Sequence, residues 1–274
     1  MPDQNPSTAL RYPAHWLAAK ASGRKLSVLT CYDAGMAGLL AQTDLDAILV
    51  GDSLAMVVQG HDSTLPVTLD EMTYHCRMVR RGAPDKFIIG DLPFGSFQVN
   101  ADEAVRSGLA LMKAAAVDAV KLEGASPHIL EAVQRLKSAG VPVVGHIGLT
   151  PQSFREHAGF KLQGKTKTDQ ARILAEARAL QTAGAFAIVL ELMPSSLAAE
   201  ITRALEIVTI GIGAGPDCDA QVLVLHDLLG LFEDFKPRHV KHYATLASVI
   251  RTAVNGYHND VHQGRFPDDE HSFA

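Results

Sequence analysis

A chain of 274 residues with 47% hydrophobic and 20% charged side chains can bury a large core, and one (β/α)₈ TIM barrel of about 250 residues accounts for it without remainder. A formal net charge of -5, with lysines and arginines scattered along the chain, offers no basic surface for nucleic acid. The N-terminus lacks a charged head followed by an apolar core, and no later run reaches the roughly 18 unbroken apolar residues a bilayer span needs, so the expectation is a cytoplasmic protein with no membrane partner. Cys31, Cys76 and Cys218 are odd in number and lack CxxC spacing, which suits reduced core thiols better than disulfides or a zinc site.

In chain order, the first ~24 residues are expected to include a helix closing the barrel bottom, with Trp16 and Leu17 on its buried side. Short β-rich runs then alternate with longer alanine- and leucine-rich stretches, the signature of an α/β chain. Strands are predicted near Ser27–Thr30, Ala47–Gly51, Phe87–Gly90, Ala119–Leu122, Pro142–Gly145, Ala187–Leu190, Val208–Gly211 and Val222–Leu225. The last sits in VLVLHDLLG, a pattern that suits a helix equally well. Helices are predicted over Ala101–Ala116, Pro127–Ala139 and Thr168–Ala183, the last two running into Gly140 and Gly184. Thr150–Thr168 reads as a long loop after strand five, either a lid over the catalytic face or a solvated connection. A tail from about residue 262 to 274 shows little periodicity, and the whole reads as a single domain.

Four strands end on a carboxylate: Asp52, Asp91, Glu123 and Glu191. A buried parallel strand has no use for a charge at its tip, so repeated acids there suggest one shared pocket. Taken singly, Asp52 with Ser53 could cap the next helix, Asp91 before Leu92–Pro93 could serve a turn, and Glu123 before Gly124 could be solvated. Lys121 lies two positions before Glu123, so both project to the same face, as a salt bridge or as a receiver of substrate charge.

Carboxylates with nearby serine hydroxyls and no His/Cys ligand spacing prefer Mg²⁺ to zinc. A 2-oxo acid could chelate such an ion through its carboxylate and keto oxygen, making the adjacent C–H more acidic. Glu191, among the apolar residues of VLELMP, is then the natural base, with a buried salt bridge as the alternative. GIGAG at Gly211–Gly215 is either an anion cradle or a tight turn. Of the histidines, His61, His75 and His226 read as surface or packing residues, while His146 at the end of strand five is placed to hydrogen-bond a ligand or its supports. Tyr32 and Asp33 either border the pocket or cap a helix.

The blocks TCYDAGMA, VGDSLAMVVQGHDSTLPVTLDEMTYHCRMVRRGAP, GDLPFGSF, VKLEG, PVVGHIGLTPQS, VLELMP, GIGAG and EHSF occur in one order and together resemble the ketopantoate hydroxymethyltransferase (3-methyl-2-oxobutanoate hydroxymethyltransferase) family from about Lys25 onward. The resemblance implies a (β/α)₈ barrel in a homo-oligomer, a decamer of two pentameric rings. It implies transfer of a hydroxymethyl group from 5,10-methylenetetrahydrofolate to 3-methyl-2-oxobutanoate, giving 2-dehydropantoate for pantothenate and coenzyme A. Carried over by motif, Asp52 and Asp91 match Mg²⁺ ligands, with Glu123 in the metal site. Asp52, Ser53, Asp91 and Lys121 match substrate-binding positions, and Glu191 matches the proton acceptor in a Mg-stabilised enolate mechanism.

Two departures stand out: Ala55 where family members carry glycine, and His239 in KPRHVKHY where an aromatic apolar residue is expected. The first puts the loop after strand two in question, and the second is expected to serve packing. Two rivals remain. One is a Mg²⁺-dependent oxo-acid lyase or mutase on the same barrel, although the lid cysteine such lyases use is missing from 150–168. The other is a non-catalytic scaffold that binds a small anion.

Overall fold

A computed structural model describes residues 9–155, 159, 161–233 and 237–273, which fall into two compact units, Met1–Val224 and Leu225–Ala274. In the first unit eight parallel strands close in chain order: β1 (Leu26–Thr30), β2 (Ala47–Val50), β3 (Phe87–Asp91), β4 (Ala119–Lys121), β5 (Val143–Gly148), β6 (Ala187–Glu191), β7 (Val208–Ile212) and β8 (Ala220–Leu223). Pairing of Leu26 with Ala220 and Val28 with Val222 joins the last strand to the first. This is the expected (β/α)₈ barrel. The ambiguous VLVLHDLLG divides: β8 ends at Leu223, two residues earlier than expected, and a short helix takes Leu225–Leu228.

The helices of this unit are α1 (Pro13–Ala21), α2 (Ala34–Ala41), α3 (Leu54–Val57), α4 (Leu69–Gly82), α5 (Ala101–Ala115), α6 (Pro127–Ser138), α7 (Lys167–Ala183) and α8 (Ser195–Ala204). Their ends follow local chemistry. Asp33 caps α2 by accepting from Met36 N at 2.8 Å, which settles its role as a cap. Thr68 and Glu71 form a reciprocal capping box on α4, and Gly184 ends α7 in the left-handed conformation at φ 109°.

The N-terminal end of the barrel is plugged by α1. Trp16, fully buried, packs edge-on against Phe87 at 5.3 Å and Phe186 at 5.9 Å between ring centroids. Such pairs each contribute about 0.5–1.5 kcal/mol beyond the area they bury. Leu17, expected beside Trp16, is instead 38% exposed. Consecutive helical residues diverge by about 100°, so the second buried position falls at Ala19, three residues on.

Ala55 sits inside α3, fully buried and outside the left-handed region, so its methyl brings no backbone strain. In GIGAG, Gly213 and Gly215 have φ of 62° and 86°, and a Cβ on Gly215 would strike Ser195 at the start of α8. Both positions thus require glycine, for the left-handed backbone and for the close approach to Ser195. All three cysteines are buried, and burial pushes the Cys31 thiol up to about 11, away from the reactive thiolate.

The second unit contains α9 (Leu225–Leu228) and α10 (Leu246–His262), followed by a 3₁₀ turn at Asp269–His271. Val249, Ile250, Val254, Tyr257 and Val261 are exposed along α10. His239 is half-buried next to buried Val240. Among the described residues no helix is long and apolar enough to cross a membrane.

Candidate active site

Around the barrel interior, Val28, Leu49, Ile89, Val144, Val189, Ile210 and Val222 come from seven strands, and the eighth position of this layer, on β4, is Lys121. Its aliphatic stem packs in that apolar layer while its ammonium reaches the carboxylates at the C-terminal mouth. Nζ lies 3.0 Å from Asp91 Oδ2 and 3.8 Å from Glu123 Oε1. Burial alone would depress the lysine, but the charges of Asp91, Glu123 and Asp52 outweigh it and hold the proton firmly.

The structure brings Asp52, Asp91 and Glu123 into this same buried cluster, each no more than 5% exposed. Asp52 does not use its side chain as a helix cap; Oδ2 accepts from Gln152 Nε2 at 2.8 Å. Asp91 Oδ2 accepts from the backbone N–H of Asp52 at 3.0 Å, while Asp91 Oδ1 is buried and has no hydrogen-bond partner among the described residues. Glu123 Oε1 lies 3.2 Å from His146 Nδ1, and its Oε2 accepts from the backbone N–H of Gln152 at 3.0 Å.

These carboxyls are not equivalent. Burial, then the charges of Asp91 and Glu123, push Asp52 up to about 8, and burial also raises Asp91 despite the opposing pull of Lys121. For Glu123 the burial penalty is outweighed by His146, Lys121 and the Gln152 N–H, and its carboxyl is held low.

Glu191, at the tip of β6, faces this cluster across His146. The imidazole Nε2 lies 3.1 Å from Glu191 Oε2, at ion-pair distance without hydrogen-bond alignment. Burial and the Lys121 ammonium work against protonating His146, but Glu123 and Glu191 on its two sides outweigh them and push it up to about 9. His146 is thus the partner of Glu191 that the sequence left unnamed. Immediately after the glutamate, Leu192 adopts φ 46°, uncommon for a residue with a side chain, and its N–H donates to Ile212 O at 2.9 Å. Gly148 on the neighbouring strand, at φ 95°, leaves no room for a Cβ against the Glu191 carbonyl oxygen.

Ser53 joins the site through its hydroxyl, 2.8 Å from the hydroxyl of buried Tyr32, whose carbonyl oxygen lies 2.7 Å from His75 Nδ1. Asp33 thus caps a helix, while Tyr32 lies buried against Ser53 with His75 on its carbonyl oxygen. Sequence reasoning missed Gln152 and Gln98. The only signal for Gln152 was its place in GLTPQS, directly after β5. Residues 150–155 are described and Gln152 is buried among the carboxylates; the lid reading extends over 156–158 and 160, which lie outside the described residues. A cleft of about 360 Å³ opens beside the cluster, lined by Glu123, Gln152, Phe94, Ser126, His128 and Arg172 among others.

Among the described residues, no three His, Cys, Asp or Glu side chains form a ready-made metal cage. The donor set nevertheless suits a hard divalent cation that completes its shell with water and substrate oxygens: crowded carboxylates, two of them pushed up by burial and mutual charge, and one buried oxygen without a partner among the described residues.

A closed parallel barrel with its buried ionisable groups gathered at the C-terminal strand ends defines an enzyme of the (β/α)₈ class. The profile of the ketopantoate hydroxymethyltransferase family matches residues 13–269, and the chain belongs to that family. A protein of Syntrophotalea carbinolica named 3-methyl-2-oxobutanoate hydroxymethyltransferase is 52% identical over 93% of this chain and 95% of its own length. Similarly named proteins of Leptospira interrogans and Desulfotalea psychrophila are 50% and 48% identical, covering 93% and 94% of this chain and 96% and 92% of their own lengths. The chain is accordingly an enzyme of the transferase class.

Solved structures with the same fold include a phosphonopyruvate hydrolase in complex with oxalate and Mg²⁺, with a TM-score of 0.61 and 11% identity over 95% of this chain and 93% of that one. A 2,3-dimethylmalate lyase of the PEP mutase/isocitrate lyase superfamily has a TM-score of 0.59 and 16% identity over 95% of this chain and 91% of that one. At such identities the likeness shows the fold alone.

Proposed function

We infer that this chain transfers a hydroxymethyl group to 3-methyl-2-oxobutanoate, giving 2-dehydropantoate in pantothenate biosynthesis, with 5,10-methylenetetrahydrofolate as the one-carbon donor and water as the source of the hydroxyl oxygen. Family membership over nearly the whole chain carries the reaction. The placement of Glu191 supports the mechanism: a carboxylate at the barrel mouth, only 16% exposed, beside the acid cluster and 3.1 Å from a buried imidazole.

Asp52 and Asp91 would hold Mg²⁺, with Glu123 beside them in the metal site. The bound ion supplies Lewis acidity toward a chelating 2-oxo acid, which acidifies the hydrogen at C3. Lys121 offsets charge on the substrate carboxylate and on the enolate oxygen, while the Ser53 hydroxyl orients the substrate. Glu191 takes the C3 proton; water opens the methylene bridge of the folate, breaking both of its C–N bonds and leaving tetrahydrofolate and formaldehyde, and the carbanion equivalent adds to that carbonyl, whose oxygen is protonated to become the new hydroxyl. His146, held between Glu123 and Glu191, fixes the base in place. The phosphonopyruvate hydrolase of the same fold was solved with oxalate and Mg²⁺, a pairing of small diacid and metal that fits this reading. The exposed apolar face of α10 supports assembly as a homo-oligomer, with the decamer carried by the family resemblance.

The test is exchange of the C3 proton of 3-methyl-2-oxobutanoate in D₂O, followed by NMR with Mg²⁺, with EDTA, and with Glu191→Gln. Exchange is expected to need Mg²⁺ and to fall by about 10²–10⁴ in the variant, the usual contribution of a positioned base. Equal background exchange in all three folded samples would overturn the mechanism and favour a lyase, mutase or binding scaffold.

A further inference from the structure

One residue grips two of the three carboxylates of the cluster, and it uses its backbone for one and its side chain for the other. Gln152 lies in the 3₁₀ turn Pro151–Ser153 after β5 and is 5% exposed. Its backbone N–H donates to Glu123 Oε2 at 3.0 Å, and its side-chain Nε2 donates to Asp52 Oδ2 at 2.8 Å and to Leu92 O at 3.1 Å.

The direction of that amide is set by a second one. Gln98 Oε1 accepts from the backbone N–H groups of Gly95 at 2.7 Å and Phe97 at 3.4 Å, which leaves its NH₂ to donate to Gln152 Oε1 at 3.0 Å. With its oxygen taken, Gln152 must turn its own NH₂ toward Asp52 and Leu92. The two glutamines therefore form a one-way chain from a loop backbone to the carboxylates.

A neutral amide suits this place. An ammonium would neutralise Asp52, as Lys121 does Asp91, and a carboxylate would repel it; an amide fixes one oxygen of Asp52 and leaves the charge for a cation.

We propose that Gln152 is the positioning residue that aims Asp52 and Glu123 at the divalent cation, with Gln98 setting the orientation of its side-chain amide. This rests on the metal site of the preceding section. Partners that orient metal-binding groups in this way are commonly worth about 10–100-fold in metal affinity or activity.

Calorimetric titration of Mg²⁺ into the metal-free full chain tests this without reference to turnover, comparing wild type, Gln152→Leu, Gln98→Leu and the double variant after circular dichroism has shown them folded. Gln152→Leu is expected to weaken Mg²⁺ about 10–100-fold, and Gln98→Leu by less. The double variant should bind no more weakly than Gln152→Leu alone, because Gln98 acts only through its neighbour. In the exchange assay, the half-saturating Mg²⁺ should rise for Gln152→Leu while excess Mg²⁺ restores most of the rate, a rescue that mere loss of stability would not give. Wild-type affinity in Gln152→Leu, or a fully additive effect of Gln98→Leu, would overturn the proposal and leave the metal site standing. A wild-type chain that binds no Mg²⁺ would overturn both. Should Gln152→Leu fail to fold, Gln98→Leu decides alone, and unchanged affinity there overturns the proposal.

Discussion

The two ends of the barrel are built from the same eight strands on opposite principles. At the N-terminal end Trp16, Phe87 and Phe186 meet as an apolar plug with ring centroids 5.3–6.1 Å apart, and the strands there carry aliphatic side chains inward. At the C-terminal end Asp52, Asp91, Glu123, Lys121 and His146 are just as deeply buried, yet they are charged or crowded, and one oxygen of Asp91 has no partner among the described residues. The first end contributes stability by removing apolar surface from water; the second costs it, since buried ion pairs seldom recover their desolvation penalty in full. Separating the two lets chemistry occupy a strained mouth without threatening the fold.

The largest way to break that division is at the plug. Trp16→Ala should lower unfolding free energy by about 3–5 kcal/mol in urea titration, while turnover per folded molecule stays at the wild-type level. A loss of turnover beyond the loss of folded protein would show the two ends to be coupled.

A pair of glycine substitutions sharpens the contrast at an intermediate size. Gly148→Ala puts a methyl against the Glu191 carbonyl oxygen at φ 95°, and should cost about 1–3 kcal/mol and reduce turnover further than stability explains. Gly23→Ala, at φ 72° near the opposite end with nothing among the described residues within 4 Å of the new Cβ, should carry only the backbone penalty and leave turnover intact. Equal turnover losses in the two would contradict a local role for Gly148.

The smallest expected effect has the opposite sign. Asp52→Asn should stabilise the metal-free chain by about 0.5–2 kcal/mol while abolishing tight Mg²⁺ binding. Asp52 is raised from 3.8 to about 8 on folding, so between those values the folded state holds a proton that the unfolded chain has released. Wild-type stability attributable to this group therefore falls as pH rises through that window, and the advantage of the variant should grow from pH 5 to pH 8 in thermal unfolding with EDTA. A constant difference across that range would remove Asp52 as its source.

The positions of the strands and of α1, α5, α6 and α7 were legible because they are local. A buried parallel strand is a short apolar run, and Gly140 and Gly184 mark where helices hand over to strands. The candidate site was legible in part for the same reason, since a carboxylate at a strand tip can be seen without knowing its neighbours. The sequence placed His146 as a hydrogen-bonding support, but its two partners, and any role for Gln152, were not visible in this way. Gln152 lies 29 residues from Glu123 and 100 from Asp52 in sequence, and only barrel closure brings them together. His146 lies on the strand between those carrying Glu123 and Glu191, and its bridging role appears only once β5 is placed between β4 and β6. Leu17 shows the opposite limit: apolar character marked the helix as buried, but rotation about the helix axis decided which residue faced inward.

The plug also equips the molecule with an optical reporter. Trp16 is the only tryptophan in the sequence; its ring is fully buried and its indole N–H has no hydrogen-bond partner among the described residues. Its fluorescence should accordingly emit at short wavelength in the native state and shift to the red when the barrel opens. Because the indole is packed at the end away from the carboxylates, occupancy of the mouth by metal or substrate should leave that emission unchanged, so folding and ligand binding can be followed as separate signals from the same sample.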